Sequence, residues 1–289
     1  MAKRSREKRR SPKSPQANCI FCGGKPVTGE HLISDWIKRV LPRIHERHTR
    51  AKRVRSTEAS DALQTVLDKA KRQEGNVASS RIRSVCGPCN YGWMKLIEDA
   101  AIPVLAPMIQ GAPVAITPDA QARIAVWATL KTIIGESANK SLAAIPIPVV
   151  KEFGATRGFP ANMQVWIGSY NGYEDYRYSH HSIFDIDDRA TLTDTGVLNP
   201  GINDRISQTT WLLMGKLLLH TYCATQQHGS YRLPPHFPFR QVHPALGQSI
   251  DWPFQPQIDD AFMQYLITAR PNAYREAQAK RRRNPASSG

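Results

Sequence analysis

Four of the five cysteines stand in two pairs of identical spacing, Cys19-Ile-Phe-Cys22 and Cys86-Gly-Pro-Cys89. Two thiols separated by two residues can bend around one cation, and two such knuckles complete a tetrahedral shell. The chain near residue 20 and the chain near residue 88 are therefore expected to meet, whatever lies between them. Gly23, Gly24 and Gly87 supply the backbone freedom that tight knuckle turns need. Four soft ligands favour Zn²⁺, with a rubredoxin-like iron site as the second option and a lone redox CxxC pair as the third. An odd cysteine count argues against a disulfide framework and for a reducing, cytoplasmic setting. The fifth, Cys223, lies in an apolar stretch and reads as a buried thiol.

Charge adds a second constraint. The 289 residues carry 39 Lys+Arg against 24 Asp+Glu, a formal net charge of +15, and the excess is concentrated. Residues 1–18 carry seven basic side chains and one acidic, residues 38–83 thirteen and five, and residues 270–289 six and one, whereas residues 84–269 carry twelve and fifteen. Such concentration points to a polyanionic partner, most commonly a phosphate backbone; tails that only aid solubility or localisation are the plain alternative. With 41% hydrophobic residues and six Trp the chain can bury a core, so wholesale disorder is excluded. No apolar run approaches the roughly 20 residues of a membrane span, since Pro103, Pro107, Gly111 and Pro113 interrupt the nearest candidate. The charged N-terminus is followed by no apolar segment, so no secretory signal is expected.

The organisation expected from these patterns has four parts. Residues 1–18 are a disordered basic arm, 19–102 a zinc-bearing module with a basic insertion at 38–83, 103–270 an accessory domain, and 271–289 a basic tail. Helical spacing is seen in HLISDWIKRVLPRI (Leu32, Ile33, Trp36, Ile37, Val40, Leu41), from Ser60 to Arg72, and from Asn90 to Ile102. Thr117-Pro118-Asp119 reads as an N-cap with proline at the first helical position, opening a helix to about Ser137. Met163–Tyr170 reads as a strand entering a hairpin at Asn171-Gly172. TTWLLM and LLLHTYC around Gly215-Lys216 read as another hairpin or as one buried helix. The predicted class is α+β: a metal-stabilised module first, a mixed α+β domain second.

Between the knuckles, Gly29-Glu30-His31 follows Cys22 after room for one strand, and Asn90 follows Cys89 directly. A shared zinc would draw Glu30 and His31 toward Asn90, setting a carboxylate, an imidazole and an amide around one cleft suited to a hard cation. With CxxC, then an acid-His pair, then CxxC-Asn, the sequence resembles the HNH endonuclease family of ββα-metal, treble-clef nucleases over roughly residues 19–100. The resemblance implies that His31 is the general base, that Glu30 and Asn90 hold Mg²⁺ or Mn²⁺, that Cys19, Cys22, Cys86 and Cys89 hold a structural zinc, and that cleavage leaves 5′-phosphate and 3′-hydroxyl ends. Three positions depart from the family pattern. Its acid is more often Asp than Glu, its proline three residues after the histidine is replaced by Ser34, and its middle Asn, which orients the histidine, is replaced by Arg81.

Phosphodiester hydrolysis needs a water made nucleophilic and a stabilised charge on phosphate and leaving oxygen, and a neutral histidine can accept the water's proton near neutral pH. Each residue also has an ordinary structural role open to it: Asn90 as a helix N-cap, Glu30 and His31 as helix-start residues. The expected function is a metal-dependent endonuclease acting on DNA in preference to RNA. Arg39, Arg43, Arg50, Lys52, Arg53, Arg55, Arg81 and Arg83 are expected to meet the backbone, and a protein partner is open to the accessory domain. A non-catalytic zinc-knuckle nucleic-acid-binding protein with a degenerate HNH site is the alternative, and an interaction adaptor the third. The other histidines have no ligand spacing, and Trp166, Tyr170, Tyr173, Tyr176 and Tyr178 read as sheet core before base-stacking surface.

Overall fold

A computed structural model describes residues 18–41, 47–51, 55–56, 70–74, 81–138, 143–160, 163–184, 191–192, 198–199, 205–224 and 233–266. The basic arm up to residue 17, most of the 38–83 insertion and the tail from 267 onward fall outside that set.

The knuckle at Cys19–Cys22 leads into β1 (Val27–His31), then a single helical turn, α1 (Ile37–Val40). The longer helix expected over HLISDWIKRVLPRI is thus a strand end and one turn. Its apolar residues are anchored individually, Ile33, Trp36 and Ile37 being buried, and the strand register claims His31 before a helix can start. β2 (Arg47–Ala51), β3 (Arg55–Ser56) and β4 (Ala70–Glu74) follow, with β2 and β4 antiparallel. Of the helix expected from Ser60 to Arg72, only 70–72 are described, and they belong to β4. β5 (Arg81–Cys86) pairs antiparallel with β1 and delivers the second knuckle.

After a π-helical turn over Asn90–Met94, kinked at Gly92, α2 runs from Lys95 to Gln110. The boundary expected between 102 and 103 therefore falls inside a helix. One hydrophobic cluster also takes in Cys19, Phe21, Val85, Trp127, Val165, Leu219 and Phe254, so both sides of that boundary share a core.

β6 (Val114–Ile116) precedes α3 (Pro118–Ser137), the central helix. Thr117 Oγ1 accepts from the Ala120 backbone N–H at 3.3 Å, and Pro118 starts the first turn, as the N-cap signal predicts. From Ile124 to Ile134 nearly every α3 side chain is buried, the pattern of a helix enclosed on all sides. It packs against α2 and β5 and against β7, β12 and β13 of the main sheet. α4 (Ile147–Thr156) lies over the first knuckle, where Phe153 meets Phe21 and Trp93.

The main sheet uses β7 (Met163–Ser169), β8 (Tyr176–Phe184), β11 (Arg205–Met214), β12 (Leu217–Ala224) and β13 (Arg240–His243), with β3 at one edge. The short pair β9 (Thr191–Leu192) and β10 (Leu198–Asn199) stands apart, and β14 (Ile250–Trp252) pairs with β6. β11 and β12 form the expected hairpin, with Met214 opposite Leu217. Gly215 takes φ +54° there, and a Cβ on it would lie 2.4 Å from the Ile109 carbonyl oxygen, so the turn demands glycine twice over.

The hairpin expected at Asn171-Gly172 does not form. β7 pairs with β12 and β13, while β8 pairs with β11. The chain leaving β7 is turned aside: the Asn171 backbone N–H donates to the Ile258 carbonyl, and the Tyr170 hydroxyl donates to Asp260. Alternation fills both faces of the sheet. Leu217, Leu219 and Cys223 join the α3 side, and Leu218 and Tyr222 join a second cluster with Trp166, Trp211 and Phe239. The architecture is mixed α+β.

Candidate active site

The four paired cysteines meet as their spacing predicts. Their Sγ atoms all lie within 4.8 Å of one another, with Cys22 3.5 Å from Cys86 and 3.7 Å from Cys89. A tetrahedral zinc with Zn–S bonds of about 2.3 Å separates its sulfurs by about 3.8 Å, so the set fits a metal such as zinc. The Gly24 backbone N–H donates to Cys22 Sγ at 3.4 Å, and a Cβ on Gly24 would come within 3.2 Å of that sulfur. The loop thus wraps the sulfurs too closely for a side chain. Burial opposes the Cys19 thiolate, yet backbone N–H groups of Cys22, Cys86 and Phe21 outweigh it and lower the pKa to about 7. Cys223 is buried in the sheet, and burial pushes its thiol up to about 12, as expected of an inert core cysteine.

The β1–β5 ribbon then sorts the predicted residues between its faces. Strand alternation sends neighbours 30 and 31 in opposite directions. His31 stands opposite Arg81 and Gly29 opposite Arg83, with Arg81 and Arg83 exposed. On this outer face the Arg81 Nε–H donates to His31 Nε2 at 2.8 Å, and His31 Nδ1 lies 3.2 Å from Asp35 Oδ2. Asp35 also accepts from Lys38 Nζ at 2.6 Å. The imidazole is thereby gripped from both ring nitrogens, and Arg81 is one of the two groups that hold it. Burial keeps the His31 pKa below histidine's ordinary value; Arg81 and Lys38 act in the same direction, against the pull of Asp35 and Glu30. The neutral, proton-accepting ring is favoured.

Glu30 faces inward. It is 7% exposed, and its Oε1 accepts from Lys131 Nζ at 2.7 Å. Lys131, on α3 and 2% exposed, also reaches Glu98 Oε1 at 2.6 Å and the His31 carbonyl at 3.2 Å, while Ser34 donates to Glu98. Asn90 sits at the start of the π turn, its Nδ2 donating to Thr28 Oγ1 at 3.1 Å. The single cleft expected around Glu30, His31 and Asn90 is therefore not formed. The Glu30 carboxylate already has a buried cation against it, so Mg²⁺ or Mn²⁺ between Glu30 and Asn90 does not fit these surroundings. Among the described residues the cysteine quartet is the one group of metal-type side chains gathered closely enough to hold an ion.

Of the expected backbone-binding residues, Arg39, Arg81 and Arg83 are exposed. Arg50 and Arg55 lie in β2 and β3 without described side chains, and Arg43, Lys52 and Arg53 fall outside the described residues. Asp35, Glu98 and Lys131 were missed from sequence. Asp35 is four residues from His31, and Lys131 is the lone charge in the apolar run from Ile124 to Ile134; either could have signalled a partner. Elsewhere, His180 Nδ1 bonds Thr210 at 2.6 Å and lies 3.4 Å from Glu136 through Nε2, and His220 stacks on Trp211 at 3.6 Å. Trp166 and Tyr170 are buried sheet core as expected, whereas Tyr173 is exposed. Among the described residues no helix is long and apolar enough to cross a membrane. The chain matches no protein-family model, no curated protein and no solved structure.

Proposed function

We propose that the chain is a nucleic-acid phosphodiesterase of HNH type, acting on DNA, whose base is His31 on a zinc-stabilised, treble-clef-like module. The observation that carries this reading is the Asp35–His31–Arg81 array on an exposed ribbon face, at the far end of the β1–β5 ribbon whose other end carries Cys86 of the cysteine quartet. A structural zinc, when bound, locks the two knuckles and so the register of β1 against β5.

On this reading a substrate phosphate engages the exposed Arg81 and Arg83 and draws Arg81 off the ring. His31 Nε2 is then free to accept a proton from water as the water oxygen attacks phosphorus. The bond to the leaving 3′ oxygen breaks, and that oxygen takes a proton from solvent. Asp35, beside Nδ1, stabilises the imidazolium that forms, and guanidinium groups meet the charge on the phosphate oxygens.

The test is nicking of supercoiled plasmid, with and without added Mg²⁺ or Mn²⁺, by wild type beside His31→Ala. Cleavage by wild type and its loss in His31→Ala, with zinc content and DNA affinity unchanged, is the expected result. Equal cleavage by both proteins removes His31 from the mechanism. A second reading, a non-catalytic zinc-knuckle nucleic-acid-binding protein, is favoured by two contacts: Lys131 on Glu30 and Arg81 on the His31 lone pair. Wild type that binds but does not cut duplex, single-stranded or branched DNA would establish it.

A further inference from the structure

The carboxylate beside the candidate base is buried, and a buried carboxylate needs a counter-charge. We propose that Lys131 supplies it permanently: its ammonium is the resident cation of this site, standing between Glu30 and Glu98 where an acid-His motif would otherwise offer a carboxylate to a divalent ion. Four contacts carry the inference. Lys131 Nζ lies 2.7 Å from Glu30 Oε1, 2.6 Å from Glu98 Oε1 and 3.2 Å from the His31 carbonyl, and Ser34 donates to the same Glu98 oxygen. Burial alone would favour neutral Lys131, but Glu98 and Glu30 outweigh it and hold the ammonium charged. Enclosed at 2% exposure between the two carboxylates, the ammonium stands where a divalent ion would have to sit and offsets one of their two charges.

Lys131 is a positioning residue. Through the His31 carbonyl it fixes the end of β1 from which the imidazole projects, and it ties that strand to α3 and α2. It follows that the site conceals a divalent-ion site that removal of the ammonium would open, since two carboxylates would then face one another unpaired.

The experiment is Mn²⁺ binding to the zinc-saturated full chain without nucleic acid, followed by the paramagnetic signal of free Mn²⁺. Wild type is expected to bind no Mn²⁺ that Glu30→Gln removes. Lys131→Met, which keeps the unbranched stem and removes the ammonium, is expected to gain one Mn²⁺ with affinity at least about tenfold above wild type, and Lys131→Met with Glu30→Gln is expected to lose it, because carboxylate count sets the affinity of such sites. A folded Lys131→Met without that gain overturns the proposal. So does wild type whose bound Mn²⁺ is released by Glu30→Gln, an arm that decides the matter even if Lys131→Met does not fold. The functional half of the inference rests on the phosphodiesterase reading, but Mn²⁺ binding is measured without cleavage. A wild type that cuts no substrate yet gives this binding pattern overturns the nuclease and leaves the Lys131 assignment standing.

Discussion

His31 can accept a proton only while its ring is neutral, and its surroundings set the pH at which that holds. Burial lowers its folded-state pKa beneath the unfolded value of about 6.5, so the unfolded chain takes the proton first as pH falls. Stability from this residue is present above about 6.5 and is lost between there and the lower folded value, and any cleavage should keep its acid limb below about 6.5. Titration of the His31 ring by NMR checks the direction, with a midpoint above 6.5 overturning it. Arg81→Gln should raise that midpoint, because Arg81 now opposes the protonated ring. These partners were only half legible in the sequence. Arg81 was noted as standing where the family pattern has Asn, but a hydrogen bond from a strand 50 residues away cannot be read from spacing. Glu30 and His31 were grouped by adjacency, although adjacency within a strand means opposite faces.

At the level of elements, signals that are local and chemically specific survived, and those that depend on distant partners did not. Thr117-Pro118 starts α3 as predicted, and Gly215 closes the β11–β12 hairpin. The two positions give a graded prediction. Thr117→Ala removes one capping bond and should cost about 1 kcal/mol. Gly215→Ala imposes a left-handed alanine and drives its Cβ onto the Ile109 carbonyl, and should cost about 1–3 kcal/mol. Chemical denaturation of the two variants checks the order; a smaller loss for Gly215→Ala would contradict the packing described. Asn171-Gly172 carried an equally good turn signal and failed, since the β11–β12 hairpin enters the sheet between β7 and β8. The helix expected after His31 failed for a related reason, as pairing with β5 extends the strand through His31.

Over the whole molecule the cysteine quartet and Lys131 fasten the same region from two sides. Phe21, between the first two cysteines, packs on Trp93 and Phe153, so stripping a metal held by the quartet should loosen α4 as well as the knuckles. A strong chelator is expected to lower the melting temperature, with Cys22→Ser reproducing the shift; a melt unchanged by metal removal would separate the quartet from stability. Lys131→Met, leaving the buried Glu30 and the partly buried Glu98 without their cation, should cost about 3–5 kcal/mol in metal-free buffer. The charge map makes a separate prediction. Deleting 1–18 and 271–289 should flatten the dependence of DNA affinity on salt, and an unchanged slope would mean that those twelve Lys/Arg do not meet phosphate.

The uninterrupted helix from Lys95 to Gln110 has a practical consequence for anyone wishing to borrow this motif. A fragment ended at residue 102 severs α2 in mid-course, removes Leu105 and Met108 from the core that holds Ile33 and Ile37, and strands Glu30 and Glu98 without the ammonium that α3 brings. The knuckles and the His31 face are therefore not a cassette. Transplanted alone they should aggregate or refold around some other cation, and any shuffling of such chains in evolution or engineering would have to carry α3 along.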